Sequence, residues 1–93
     1  MTKIYQVEEI QDNIQFQLTD ELIEKVEALV EDKNDNDLKN LLNDFHYADI
    51  AEILDELNLE DAVYVIKLLD SELTSDILME LDEDNRERIL KNL

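Results

Sequence analysis

Ile53-Leu54-Asp55-Glu56-Leu57, Val65-Ile66-Lys67-Leu68-Leu69, Ile77-Leu78-Met79-Glu80-Leu81 and Ile89-Leu90-Lys91-Asn92-Leu93 are one apolar phrase written four times, and Leu41-Leu42-Asn43-Asp44-Phe45 opens the series. The phrases begin at residues 41, 53, 65, 77 and 89, so the period is twelve with no slippage. Positions i, i+1 and i+4 share one side of an α-helix, and each phrase is a short apolar stripe. A period of twelve allows a helix of roughly eleven residues, about 16 Å long, and one turn residue. Isolated helices of that length are marginal in water and must pack on their neighbours. The chain is therefore expected to be all-α, short stacked helices in an α-solenoid-like array with repeats of about twelve residues; it is taken as a right-handed superhelix, although the period does not set the hand.

Asn58, Asp70 and Asp82 share one position of the period, just ahead of each new helix. All three are good N-cap residues, and acids follow in the first turn, where the positive end of the helix dipole favours them. The spacing predicts helices over 47–57, 59–69, 71–81 and 83–92, with a helix at about 36–45 before them. Upstream, Thr19 is placed as an N-cap with Leu18 and Ile23 as a hydrophobic staple, opening an amphipathic helix over 20–32. Lys33-Asn34-Asp35-Asn36 is expected to be a turn. Residues 1–18 are expected to form an extended or loosely helical lead-in, and residues 19–93 a single helical-repeat domain. A solenoid end needs a polar cap. Leu90 and Leu93 lie in the last phrase, so apolar surface is expected there, covered by further chain or by a second copy in a homodimer.

The chain has 93 residues, no Cys, no Gly and no Pro. Its 26 acids against 8 bases give a net charge of −18. Nucleic acid and anionic membrane surfaces are excluded as partners, because both require a basic footprint. Disulfides and thiolate metal sites are excluded with cysteine. Divalent cations or basic proteins fit the charge, although acidity also serves solubility alone.

No catalytic constellation is present in the pattern, and the chain is read as not an enzyme. Asp32-x-Asn34-x-Asn36 resembles the start of a calcium loop, but Asp37 and Asn43 stand where such a loop needs Gly and a bidentate Glu. His46 is the sole histidine and sits at a cap position. Ser71 and Ser75 have no histidine in their segment. Acids flank the helix stripes at Asp49, Glu52, Asp55, Glu56, Glu60, Asp61, Asp76 and Glu80, and Lys67 is the only Lys or Arg between residues 46 and 85. Such faces suit hydrated magnesium, which keeps most of its waters and takes one or two carboxylates.

The segment Phe45-His46-Tyr47-Ala48-Asp49-Ile50-Ala51-Glu52-Ile53-Leu54-Asp55-Glu56-Leu57 closely resembles the H-P-A-D-I-A-E-x-L-E-E-L phrase of the cytosolic N-terminal domain of MgtE-type magnesium transporters. Leu59–Leu69 and Thr74–Leu81 resemble that domain's next two phrases, and the likeness spans about residues 18–93. Tyr47 departs from the family's Pro at the first helical position, where Pro only preorganises the turn. By the resemblance, these 93 residues are expected to be part of the family's domain, separate from the paired regulatory domains and membrane helices of a whole transporter. The resemblance implies a cytosolic regulatory domain on the cytoplasmic side of the inner (plasma) membrane. Its partners would be the regulatory and membrane domains of the transporter. It would sense intracellular Mg2+ through acidic surfaces and favour channel closure, and Asp76 is the position that matches a metal-binding acid of the family. A more distant likeness is to the helical repeats of flagellar motor switch proteins, which implies instead a non-catalytic protein-interaction module.

Overall fold

The computed structural model describes residues 17–93. The lead-in expected over residues 1–18 lies outside them except for Gln17 and Leu18. Six helices follow in order: α1 (Asp20–Glu31), α2 (Asp35–Leu42), α3 (Tyr47–Glu56), α4 (Leu59–Leu68), α5 (Ser71–Glu80) and α6 (Glu83–Lys91). Among the described residues there is no strand, and the repeat is all-α.

Every start except that of α6 is set by a side chain that satisfies an orphan amide. Thr19 Oγ1 accepts from the Leu22 N–H at 3.1 Å, Asn58 Oδ1 from Asp61 at 2.8 Å, and Asp70 Oδ1 from Leu73 at 2.9 Å. Asp82 occupies the same place in the period but makes no side-chain cap bond. The expected consequence is an asymmetry between equivalent positions. Asn58→Ala should cost about 1 kcal/mol, the usual value of a lost cap, whereas Asp82→Ala should cost well under half of that. Urea denaturation of the two variants measures the difference.

The helix ends correct the expected boundaries. Each repeat helix stops one residue early, at Glu56, Leu68, Glu80 and Lys91. The connection between repeat helices is two residues long. Leu57 (φ −85°, ψ 158°) and Asn58 (φ −69°, ψ 165°) are both extended, as are Leu69 with Asp70 and Leu81 with Asp82. A cap residue must leave helical geometry, and one extended residue alone does not reverse the chain. The fifth member of the phrase therefore leaves the helical stripe and covers the corner: Leu57 and Leu81 are buried there and Leu69 half-buried.

The first two helices differ as well. The helix expected to reach residue 45 ends at Leu42, with Asp44 and Phe45 donating back to Leu41 and Leu42 in tight i→i−3 bonds. Phe45 is released because His46 after it must be extended to cap α3. The turn expected over 33–36 is shorter, since Asp35 and Asn36 already belong to α2. Asn34 donates to Leu29 O and Lys33 to Val30 O, both at 3.0 Å, which closes α1 in a Schellman motif. Its left-handed residue is Lys33 (φ 55°), a place usually given to Gly, which this chain lacks. The Lys33 ammonium lies 5.4 Å from the centre of the Tyr64 ring, a cation–π contact that offsets part of that strain.

The packing follows the alternation. α3 packs on α5 and α4 on α6, while α1 packs on α2 and α4. Val26, Leu38, Ile50, Ile53, Val65 and Ile77 are wholly buried in one continuous core. Leu18 and Ile23, the expected staple, are both half-buried against it. Polar ties cross the stack: Asn85 Nδ2 donates to Asp55 Oδ1 at 2.7 Å, Thr74 Oγ1 to Ile66 O at 3.3 Å, and Tyr64 OH to Asp35.

Candidate functional site: the acidic faces

Asp76 lies in the middle of α5 and is exposed. Glu72 and Glu80, four residues to either side, are exposed too, so the three carboxylates form one stripe along the helix. Like charges at that spacing repel by a few tenths of a kcal/mol per pair. No base lies in the last turn of α5 to relieve them. α5 also buries only Ile77 fully, so this helix holds its charge with little core behind it. Among the described residues no three His, Asp or Glu side chains converge in a way that could hold a metal ion. Asp76 is therefore not part of a three-carboxylate cluster formed within the described residues. The donor set fits at most a hydrated ion touching one or two carboxylates.

The other flanking acids have different fates. Asp55 is partly buried and serves as the acceptor for Asn85, which binds α3 to α6. Asp49 is partly buried in the first turn of α3, while Glu52, Glu56 and Glu60 are exposed. Asp61 lines a groove between the end of α1 and the start of α4 together with Glu27, Glu31, Lys33 and Asn58. Its carboxyl is pushed above the ordinary value of 3.8, first by partial burial and then by Glu60 and Glu31, with Lys33 pulling it back. The sequence gives little hint of this groove, because its acids are thirty residues apart and meet only through the packing of α1 on α4.

A raised carboxyl pKa means that the ionised form is disfavoured in the folded state. Its destabilising effect is absent below the unfolded value near 3.8 and appears as pH rises through the raised folded value. Asp61→Asn should therefore stabilise the fold at pH 7, by about 0.5 kcal/mol or less because the group is largely solvated. The gain should vanish as pH falls toward 3.8. Thermal unfolding of both proteins across that range tests the sign.

His46 takes the structural role expected of it. Its Nδ1 accepts from the Ala48 N–H at 3.2 Å, and its ring centre lies 4.1 Å from that of Tyr47. The stretch that only begins like a calcium loop is the end of α1 and the cap of α2: Asp32 closes one and Asn34 opens the other, accepting from the Asp37 N–H. Ser75 Oγ donates to Ser71 O at 3.0 Å. Tyr64 is half-buried, and the hydrogen bond it donates to Asp35 holds its hydroxyl pKa above the ordinary 10.0.

No described helix is long and apolar enough to cross a membrane. No curated protein and no solved structure matches the chain. The family model of the MgtE intracellular N domain does match, over residues 45–93. That region runs from the cap of α3 to the end of α6 and takes in all four connected repeat helices, with Asp76 among them. It is more than half of the sequence, and the chain belongs to the MgtE intracellular N domain family.

Proposed function

We propose that the chain is a cytosolic regulatory domain of a magnesium transporter or channel, that it senses intracellular Mg2+ through its acidic surfaces, and that it favours closure. The observation that carries this reading is the family membership over residues 45–93. The charge of −18 supports it. Surfaces of like charge repel when magnesium is scarce and approach when it neutralises them. A ligand that binds the approached state better than the separated one shifts the balance toward it. Asp76 supplies one carboxylate to a hydrated ion, and the remaining ligands are waters or acids of neighbouring parts of the transporter. The reading requires no catalytic residue. Its partners are divalent cations and the regulatory and membrane domains, at the cytoplasmic face of the inner membrane. The alternative, a helical-repeat interaction module like those of the flagellar motor switch, draws support from the exposed Met79, Leu90 and Leu93.

Thermal unfolding in MgCl2 and in KCl at matched ionic strength separates the two. A binding ion at ten times its dissociation constant stabilises by about 1.4 kcal/mol. The expected result is a larger rise in melting temperature with Mg2+, reduced in Asp76→Lys. Equal curves in the two salts would contradict magnesium sensing by this chain.

A further inference from the structure

The repeat extends one step further back than its apolar fifth residue shows. Leu29-Val30 lies twelve residues before Leu41-Leu42, with Lys33 in the fifth place. Six copies of the first two positions can therefore be compared, and their burial drifts in opposite directions along the stack. The first members Leu29 and Leu41 are only half-buried, whereas Ile53, Val65 and Ile77 are 0% exposed and Ile89 2%. The second members run the other way: Val30 (5% exposed), Leu42 (1%), Leu54 (2%) and Ile66 (3%) are all buried, then Leu78 is half-buried and Leu90 50% exposed. Leu93 is 51% exposed, where its counterparts Leu57 and Leu81 are 8% and 5% and Phe45 and Leu69 are half-buried. The first member of each phrase thus faces the helices before it, and the second faces those after it.

The two ends of the stack are consequently unlike. The α1–α2 end shows first-member leucines, and the α6 end shows second-member leucines. Inside the stack both kinds are buried, first members at Ile53, Val65 and Ile77 and second members at Leu54 and Ile66. The charges around them also differ. Leu29 and Leu41 lie in a groove with Asp37, Asn40 and Asp44, against one base, Lys25. Leu90 and Leu93 lie beside the exposed Arg88 and Lys91. Arg86, Arg88 and Lys91 are three of the four bases after residue 45.

We infer that a second copy of the chain docks head to tail: the α6 end of one copy seats on the α1–α2 end of the next and repeats the junction found within the stack. The contact is heterologous, so each copy keeps one free end and assembly continues past the dimer. The net charge opposes it over distance. At about 0.15 M salt, where the screening length is about 8 Å, the contact itself decides the outcome.

Sedimentation of the full 93-residue chain tests this, from about 10 μM to about 1 mM. The wild type should gain mass with concentration beyond a dimer. A tail-blocked variant, Leu90→Glu with Leu93→Glu, should stay monomeric, as should a second tail variant that alters only exposed charges, Arg88→Glu with Lys91→Glu. A head-blocked variant, Asn40→Lys with Asp44→Lys, should stay monomeric as well. A mixture of the Leu90→Glu/Leu93→Glu variant with the head-blocked one retains one intact junction and should give a one-to-one pair. A wild type that is monomeric throughout, a mixture that does not pair, or a blocked variant that still assembles alone would each overturn the proposal.

Discussion

Ile77→Ala should destabilise the fold by about 2–5 kcal/mol, while Leu90→Ala costs under about 1 kcal/mol. The two side chains belong to one phrase type, but Ile77 is wholly buried and Leu90 is half exposed. Truncating Ile77 leaves a cavity under the only fully buried residue of α5, and a well-packed stack cannot collapse to fill it. A domain of this size holds about 5–10 kcal/mol in total, so the variant should be partly unfolded near 37 °C. The midpoint of urea denaturation gives both values. A similar cost at the two positions would mean that the stripe is not oriented as described.

An extra residue should do more damage than any single truncation. Inserting one Ala between Val63 and Tyr64 turns the two halves of α4 by about 100° relative to each other. Ala62 would then face the core while Val65 and Ile66 leave it, or the reverse, and α4 could no longer serve α1 and α6 together. The loss of two buried side chains, about 2–5 kcal/mol each, is on the order of the whole stability. The expected result is loss of cooperative unfolding and of most helical circular dichroism. The same Ala placed between Asn43 and Asp44 falls in an exposed turn and should cost about 1 kcal/mol or less.

The helices were legible because apolar periodicity and capping chemistry agree at almost every repeat. Thr19, His46, Asn58 and Asp70 each cap the helix that the pattern opens there. The ends were less legible for a geometric reason. An apolar fifth residue looks the same whether it extends a stripe, as in a longer helix, or plugs a corner, as Leu57 does. Lys33 could not be picked out as a left-handed residue, since that place normally calls for Gly and the turn is fixed by backbone bonds. Asp76 was found through the family phrase, because among so many acids nothing in the charge pattern singles it out. Asp55 shows the limit of such reading: one exposed-looking acid in a row of acids proves to be a structural acceptor for Asn85, thirty residues on. The Asp61 groove depends on α1 meeting α4, a contact between distant segments that periodicity does not specify.

The central claim is that a twelve-residue apolar rhythm builds helices broken by paired extended residues, and backbone chemical shifts test it most directly. Carbon shifts should be helical over residues 47–56, 59–68, 71–80 and 83–91, and extended at Leu57-Asn58, Leu69-Asp70 and Leu81-Asp82. Helical shifts running unbroken through those three pairs, or extended shifts across any of the four spans, would contradict it.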